Sequence, residues 1–275
     1  MTYFENKITI VTGGASGIGR ALCEELGRCG ATVIVADINQ RGAQAVAASI
    51  TADGGHARAM HVDVSQQENV QALIDQTLTQ YGRLDIMINN AGVAICGEAR
   101  DLTIEHWQRM LAVNLWGVIY GATAAYRVMV KQGFGHIVNV ASLDGLAPMP
   151  LAAPYTVAKH GVVGLSTTLR VEGAALGVKV SVACPGTVRT GVLDAATFVN
   201  IKREAAITEM QSGFKMADPT DCARAILRGV KRNRMIIIDT WPNRLFWALY
   251  RLSPSLYNTL MQAGAAHMRP LRQEE

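Results

Sequence analysis

The chain alternates short runs rich in Val, Ile and Thr with longer amphipathic stretches. Runs at 8–12, 32–36, 57–62, 84–89, 136–141, 179–184 and 235–238 predict strands, several of them nearly continuous in apolar residues. Strands buried on both faces read that way. Between them, 18–29, 41–51, 66–81, 104–131, 155–176 and 219–231 predict helices. Strand and helix in strict alternation indicate a parallel sheet with crossover helices. Asp218-Pro219 marks one helix start as an N-cap followed by proline, and Thr103 to His106 marks another. No repeat, low-complexity tract or linker divides the chain, so residues 1–240 are predicted as one α/β domain. Two segments break the rhythm. The long connection at about 187–217 is predicted to be a lid over a binding site, and 241–275 extends past the last strand.

Composition narrows the classes. The 275 residues are 49% hydrophobic and 17% charged, enough apolar material for one large core and too little charge for a disordered chain. A net charge of +4 without a basic stripe or aromatic platform argues against nucleic-acid binding. Five cysteines (Cys23, Cys29, Cys96, Cys184, Cys222) form no C-x-x-C pair and no metal-ligand spacing. They predict reduced thiols, no metal site and a cytoplasmic setting. No signal-peptide pattern and no apolar run long enough to span a bilayer is found.

The first predicted strand ends in Thr12-Gly13-Gly14-Ala15-Ser16-Gly17-Ile18-Gly19, directly before a helix. Glycines there let the backbone turn tightly and approach a pyrophosphate at the helix N-terminus. The spacing is G-x-x-x-G-x-G rather than G-x-G-x-x-G. Asp37 closes the second strand, where a carboxylate bonds adenosine ribose hydroxyls and repels a 2′-phosphate. Ile38 follows it, which points to NAD over NADP.

An ordered set of motifs then resembles the short-chain dehydrogenase/reductase family. The set comprises the glycine loop at 12–19, Asp63-Val64, Asn-Asn-Ala-Gly at 89–92, Asn114, Ser142, Tyr-Thr-Val-Ala-Lys at 155–159 and Pro185-Gly186. The resemblance implies a single Rossmann-type, doubly wound parallel sheet of about seven strands with helices on both faces. It implies a cofactor site of Gly13, Ser16, Gly17, Ile18, Gly19, Asp37, Asp63, Val64, Asn90, Ala91, Gly92, Tyr155, Lys159, Pro185, Gly186, Val188 and Thr190. It also implies Asn114, Ser142, Tyr155 and Lys159 as the catalytic set. Tyr155 and Lys159 lie four apart on a predicted helix and share a face. A phenol ionising near pH 10 must come down by about 4 kcal/mol to act as a base near neutrality. A cation ~4 Å away supplies about that much at an intermediate dielectric. Lys159 is that cation, assisted by the oxidised nicotinamide. Ser142 would hold the substrate oxygen, and Asn114 would orient Lys159 through a water.

The implied activity is hydride transfer between NAD(H) and a hydrophobic secondary alcohol or ketone, with Tyr155 as general acid and base. A non-catalytic NAD-binding sensor or scaffold, or other chemistry on the same fold, stands as the alternative. Candidate substrate-pocket residues are Ile95, Leu143, Asp144, Leu151 and Leu193, with Ala94, Met149, Pro150, Val192, Phe198, Val199, Ile201, Met210 and Phe214 around them. Asp144 and Asp194 are candidates for a polar handle. Residues 241–261 mix apolar positions with arginines. They are expected to pack on the domain, on a partner subunit or, as a peripheral contact, on a membrane. Assembly as a homodimer or homotetramer is expected through the two long helices, 104–131 and 155–176.

Overall fold

The computed structural model describes residues 3–192, 195–212 and 216–273, with backbone alone at 210–212. Seven strands form one sheet: β1 (Ile8–Thr12), β2 (Thr32–Asp37), β3 (His56–His61), β4 (Ile86–Asn89), β6 (Gly135–Val140), β7 (Val178–Ala183) and β9 (Ile236–Ile237). All pair parallel, in the order β3-β2-β1-β4-β6-β7-β9. Each strand overlaps its predicted run. The two-residue strands β5 (Ile95–Cys96) and β8 (Thr197–Phe198) pair with each other outside that sheet. They are too short to leave a periodic signal.

Successive residues of a strand point to opposite faces, so each strand feeds two cores. Val11, Val33, Val35, Ile88 and Val138 pack with α1 (Gly17–Arg28), α2 (Gln40–Ala52) and α8 (Pro219–Lys231). Ile10, Ile34, Met87, Ile137 and Val180 pack with α3 (Gln67–Tyr81), α5 (Gly117–Gln132) and α6 (Ala153–Gly173) on the other face. Asp218 caps α8 by accepting from the Thr220 amide, as its sequence position predicts. The stretch predicted as one helix over 104–131 is continuous but not uniform. α4 (Ile104–Leu111) passes through a π-helical turn (Ala112–Trp116) into α5. Asn114 sits in the middle of that turn and is fully buried.

In the long connection lies α7 (Arg203–Ser212), and beyond β9 come α9 (Trp241–Leu252) and α10 (Pro254–Met268). These last two turn back on the domain. Tyr257 is 2% exposed, meets Phe246 and Tyr250 edge-on, and donates its phenol proton to the Pro148 carbonyl at 2.6 Å. Residue 272 forms an antiparallel bridge with Ile201, while Arg272 clasps both oxygens of Asp101 at 2.8 and 3.1 Å. Trp241, Leu245, Leu252, Leu256 and Leu260 stay exposed on the outer side. Among the described residues no helix is long and apolar enough to cross a membrane.

At the opposite end of the sheet from the glycine loop, His136 is buried in a chain of hydrogen bonds. Ser181 Oγ donates to the Arg234 carbonyl at 2.6 Å, so it must accept from His136 Nε2 at 2.9 Å. That leaves Nδ1 bare to accept from the Tyr3 hydroxyl at 3.2 Å. Burial, then Lys179 and Arg170, pull the imidazole pKa down to about 3. A base whose folded pKa is lowered contributes stability above its unfolded value, near 6.5, and loses it as pH falls towards 3. Denaturant unfolding at pH 7 and pH 4 will therefore show an acid loss of several kcal/mol that is smaller in His136→Gln. Equal acid losses in the two proteins would refute this.

Candidate active site

The site grows from the C-terminal ends of the central strands. Chain connections run in opposite directions from β1 and β4, which leaves a crevice between the turns that follow them. After β1 the backbone turns through Gly13 at φ +66° and Gly17 at φ +53°. A Cβ on Gly13 would lie 2.7 Å from Ala91 Cα, and one on Gly19 would lie 2.0 Å from the Gly13 carbonyl oxygen. Thr12 ties the two turns together, its hydroxyl accepting from the amides of Asn90 and Ala91 at 3.0 and 3.2 Å. Asn90 Nδ2 returns the tie to the carbonyls of Thr12 and Gly13. Ser16 is the N-cap of α1 and makes no side-chain cap, so the first amides of that helix face the crevice without a side-chain acceptor.

Asp37 ends β2 and is held on both oxygens, by the Ala15 amide at 2.9 Å and the Asn39 amide at 2.8 Å. It thus fixes the glycine loop as well as presenting a carboxylate beside it. Asp63 closes the next turn by accepting from the Ser65 amide and hydroxyl. Val64 is buried, and Ile18 packs against the core. Gly92 faces the Asn114 amide oxygen, and the Thr190 side chain abuts Gly17. Pro185 accepts from the Leu143 amide at 2.8 Å, Gly186 donates to Asp239 at 3.3 Å, and Val188 bridges to Ala217. A tight glycine turn, an open helix N-terminus and a fixed carboxylate beyond it fit a nicotinamide dinucleotide.

The candidate reactive groups come from the end of β6 and from α6. Ser142, extended two residues past β6, accepts from the Asp144 amide at 3.2 Å and donates to Asp144 Oδ1 at 3.3 Å. The Ser142 hydroxyl lies near enough to Tyr155 to favour its ionised form. Lys159, 3% exposed, places Nζ 5.4 Å from the Tyr155 ring centre and donates to the Val140 carbonyl at 3.0 Å. Burial lowers the Lys159 pKa to about 8, against opposing pulls from Cys184 and Asp144. Burial raises Asp144 to about 6, opposed by the bonds it accepts and by Lys159. Tyr155 is raised, by burial first and Asp144 second, with the Ser142 bond acting the other way.

Burial and the Asp144 carboxyl thus both weigh against a Tyr155 phenolate in the chain alone. The Asn114 side-chain amide pairs with both backbone groups of Val93 at 2.8 Å and also meets the Met110 sulfur. Its side chain is spent on holding the turn after β4. Of the pocket candidates, Asp144 and Leu151 keep partial exposure, whereas Ile95 and Leu143 are buried under their neighbours. Leu151 sits at φ +61°, its carbonyl accepting from the Gly97 amide. Leu193, Asp194 and Phe214 lie outside the described residues, as does the side chain of Met210. Sequence reading missed Thr12, Asp239 and Tyr257. Each is a common residue whose role depends on contacts far along the chain. Among the described residues no cluster of acidic, His or Cys side chains could hold a metal.

Comparison with known proteins shows the family. Residues 7–197 match the family model described as short chain dehydrogenase. D-threitol dehydrogenase of Mycolicibacterium smegmatis is 37% identical over 186 residues, 68% of this chain and 72% of that protein. The Mycobacterium tuberculosis protein SadH, named as an oxidoreductase, is 30% identical over 273 residues, 98% of this chain and 99% of its own. A short chain dehydrogenase/reductase from Burkholderia phymatum, solved in complex with NAD, superposes with a TM-score of 0.85 at 29% identity. That superposition covers 93% of this chain and 96% of the other.

Replacing Asn114 by Ala would leave both backbone groups of Val93, in a half-buried turn, without their side-chain partner. Each unsatisfied group costs ~1–3 kcal/mol. Asn114→Ala is expected to lose about 2–4 kcal/mol in urea unfolding, and a loss below 0.5 kcal/mol would contradict the role assigned to the amide.

Proposed function

The chain belongs to the short chain dehydrogenase family and is an oxidoreductase acting on CH–OH groups; from that premise we propose that it interconverts an apolar secondary alcohol and its ketone with NAD(H). The observation that carries the reading is the meeting of Ser142, Tyr155 and Lys159 at the mouth of the nicotinamide crevice. The bound nicotinamide supplies hydride acceptance for alcohol oxidation and hydride donation for ketone reduction. Tyr155 takes the substrate hydroxyl proton in oxidation and returns it in reduction. Ser142 holds the substrate oxygen in line with the phenol. Lys159, fixed on the Val140 carbonyl, provides the positive charge that favours the phenolate. With an oxidised nicotinamide bound, a second positive charge would favour the phenolate against the upward push of burial. Asn114 acts at one remove, as a positioning residue for the turn that borders the site.

Asp37 supports NAD over NADP. Its carboxylate is pinned by two amides and cannot swing away from a 2′-phosphate, and the following Ile38 is exposed and uncharged. The half-exposed Met149, Leu151 and Phe198 support an apolar substrate. Trp116, Val157 and Val171, exposed on the two long helices, support assembly into a homodimer or homotetramer. Buried thiols at Cys23, Cys96, Cys184 and Cys222 suit a reducing, cytoplasmic setting.

Reduced-nicotinamide absorbance tests the reading directly. With NAD and a panel of secondary alcohols, Tyr155→Phe is expected to lose roughly 100-fold or more in kcat, the usual worth of a positioned acid–base group. Survival of wild-type turnover in that variant would sink the mechanism. Asp37→Ser is expected to raise kcat/KM for NADP relative to NAD by about 10-fold, equal to removing roughly 1.4 kcal/mol of discrimination. An unchanged ratio would remove Asp37 as the selector.

A further inference from the structure

One charged group in the cleft is unused by the proposed mechanism. Asp144 follows Ser142 by two residues on the turn after β6, and only one of its oxygens has a side-chain partner, the Ser142 hydroxyl at 3.3 Å. Among the described residues no Lys, Arg or His nitrogen comes within 4.0 Å of it, although nine other ion pairs are present. Among the described residues Oδ2 accepts no hydrogen bond from another residue, and it is not among the fully enclosed unsatisfied atoms. The residue keeps partial exposure while its surroundings strip water from it. A carboxyl so placed is costly unless something completes its hydrogen bonding.

The groups facing Asp144 come from four elements: Tyr155 and Lys159 on α6, Cys96 on β5, Ser142 after β6 and Tyr257 on α10. Tyr257 is committed to the Pro148 carbonyl and Lys159 to the Val140 carbonyl. Neither turns toward the free oxygen. The open partner position is therefore the cleft itself, one hydrogen bond beyond the serine that holds the substrate oxygen.

We propose that Asp144 is a specificity-determining residue that accepts a hydrogen bond from a second hydroxyl on the carbon next to the reacting one, so that the preferred substrate is a vicinal diol or its α-hydroxy ketone with an apolar remainder. This rests on the proposed alcohol–ketone chemistry at Tyr155. Two neighbouring hydroxyl oxygens of a diol are about as far apart as the two ends of a hydrogen bond. With one held by Ser142 and Tyr155, the other falls beside the Asp144 carboxyl. A hydroxyl can donate to the Asp144 carboxyl without adding a second cation beside Lys159, whereas a substrate carboxylate would set two carboxyl groups against each other.

The test compares 1-phenyl-1,2-ethanediol with 1-phenylethanol as substrates for oxidation with NAD, in wild type, Asp144→Asn and Asp144→Leu. The expected result is a wild-type kcat/KM at least about 10-fold higher for the diol, a preference of the kind a built hydrogen bond produces. That ratio is expected to fall to near one in Asp144→Leu, with Asp144→Asn between. NAD binding by tryptophan quenching, retained in both variants, certifies that they are folded. A ratio unchanged in Asp144→Leu, or loss of both substrates in equal proportion, would overturn the proposal. Equal loss would mean that Asp144 only supports Ser142. A wild type that turns over 1-phenylethanol as well as the diol also overturns it while leaving the alcohol–ketone reading intact. Turnover of either substrate that persists in Tyr155→Phe refutes that underlying reading instead.

Discussion

Parallel strands cannot be joined by tight turns, so every connection in this sheet must cross a face and return. Where the crossings change direction, between β1 and β4, no connection covers the strand ends. The whole site depends on that bare crevice and on the register that keeps its two lips aligned. Thr12 and Asn90 supply the alignment through four hydrogen bonds between the end of β1 and the turn after β4. Asn114 anchors the same turn from below through Val93. The π-helical turn gives that asparagine its position: an ordinary α-helical path would carry 112–116 with a different pitch and rotate the amide off Val93. A local irregularity in a helix is thus coupled to the geometry of a loop on another element.

Electrostatics set the second constraint. Tyr155, Lys159 and Asp144 share a space with little water, and burial opposes charge on each of them. It raises the two acids and lowers the base, so each group depends on the others and on what binds between them. Without cofactor the Lys159 ammonium leans on a carbonyl dipole, which is a weaker partner than a full negative charge. A bound cationic nicotinamide and a phenolate would answer each other while Lys159 holds its place. The site is poised for charge to arrive with its ligands rather than being neutralised in advance.

Much of this was legible in the chain. Strand runs dense in Val and Ile, punctuated by glycine, located all seven strands of the sheet because burial on both faces leaves a strong compositional mark. The glycine loop, Asp37, Ser142, Tyr155 and Lys159 were legible because their spacing is constrained by chemistry, and the fold carries them to one crevice. What escaped is what depends on distant pairing. Thr12 looks like any strand threonine until Asn90 and Ala91 are placed against it. The π-helical turn has no residue signature beyond an asparagine inside a helix. The opposing pulls on Tyr155 were not legible either, since the phenol's burial is set by the sheet, α6 and the turn carrying Asp144 together.

The C-terminal extension shows how a surface segment becomes part of a site. Its apolar residues alone do not distinguish a membrane, a partner or the chain's own cleft. Polar details do. Tyr257 spends its hydroxyl on Pro148, in the turn that follows Ser142, and Arg272 spends its guanidinium on Asp101 while its backbone bridges to Ile201 in the long connection. Such bonds to the domain fix direction as well as contact, because each needs a particular acceptor at a particular angle. Together they strap α10 across the substrate side of the sheet, from the Ser142 turn to the segment ahead of α7. The outer row of Trp241, Leu245, Leu252, Leu256 and Leu260 is left over by this docking. On the inner side Tyr257 lies near enough to Asp144 for the carboxyl to weigh on its phenol, so the extension borders the position where we propose a substrate's second hydroxyl is read.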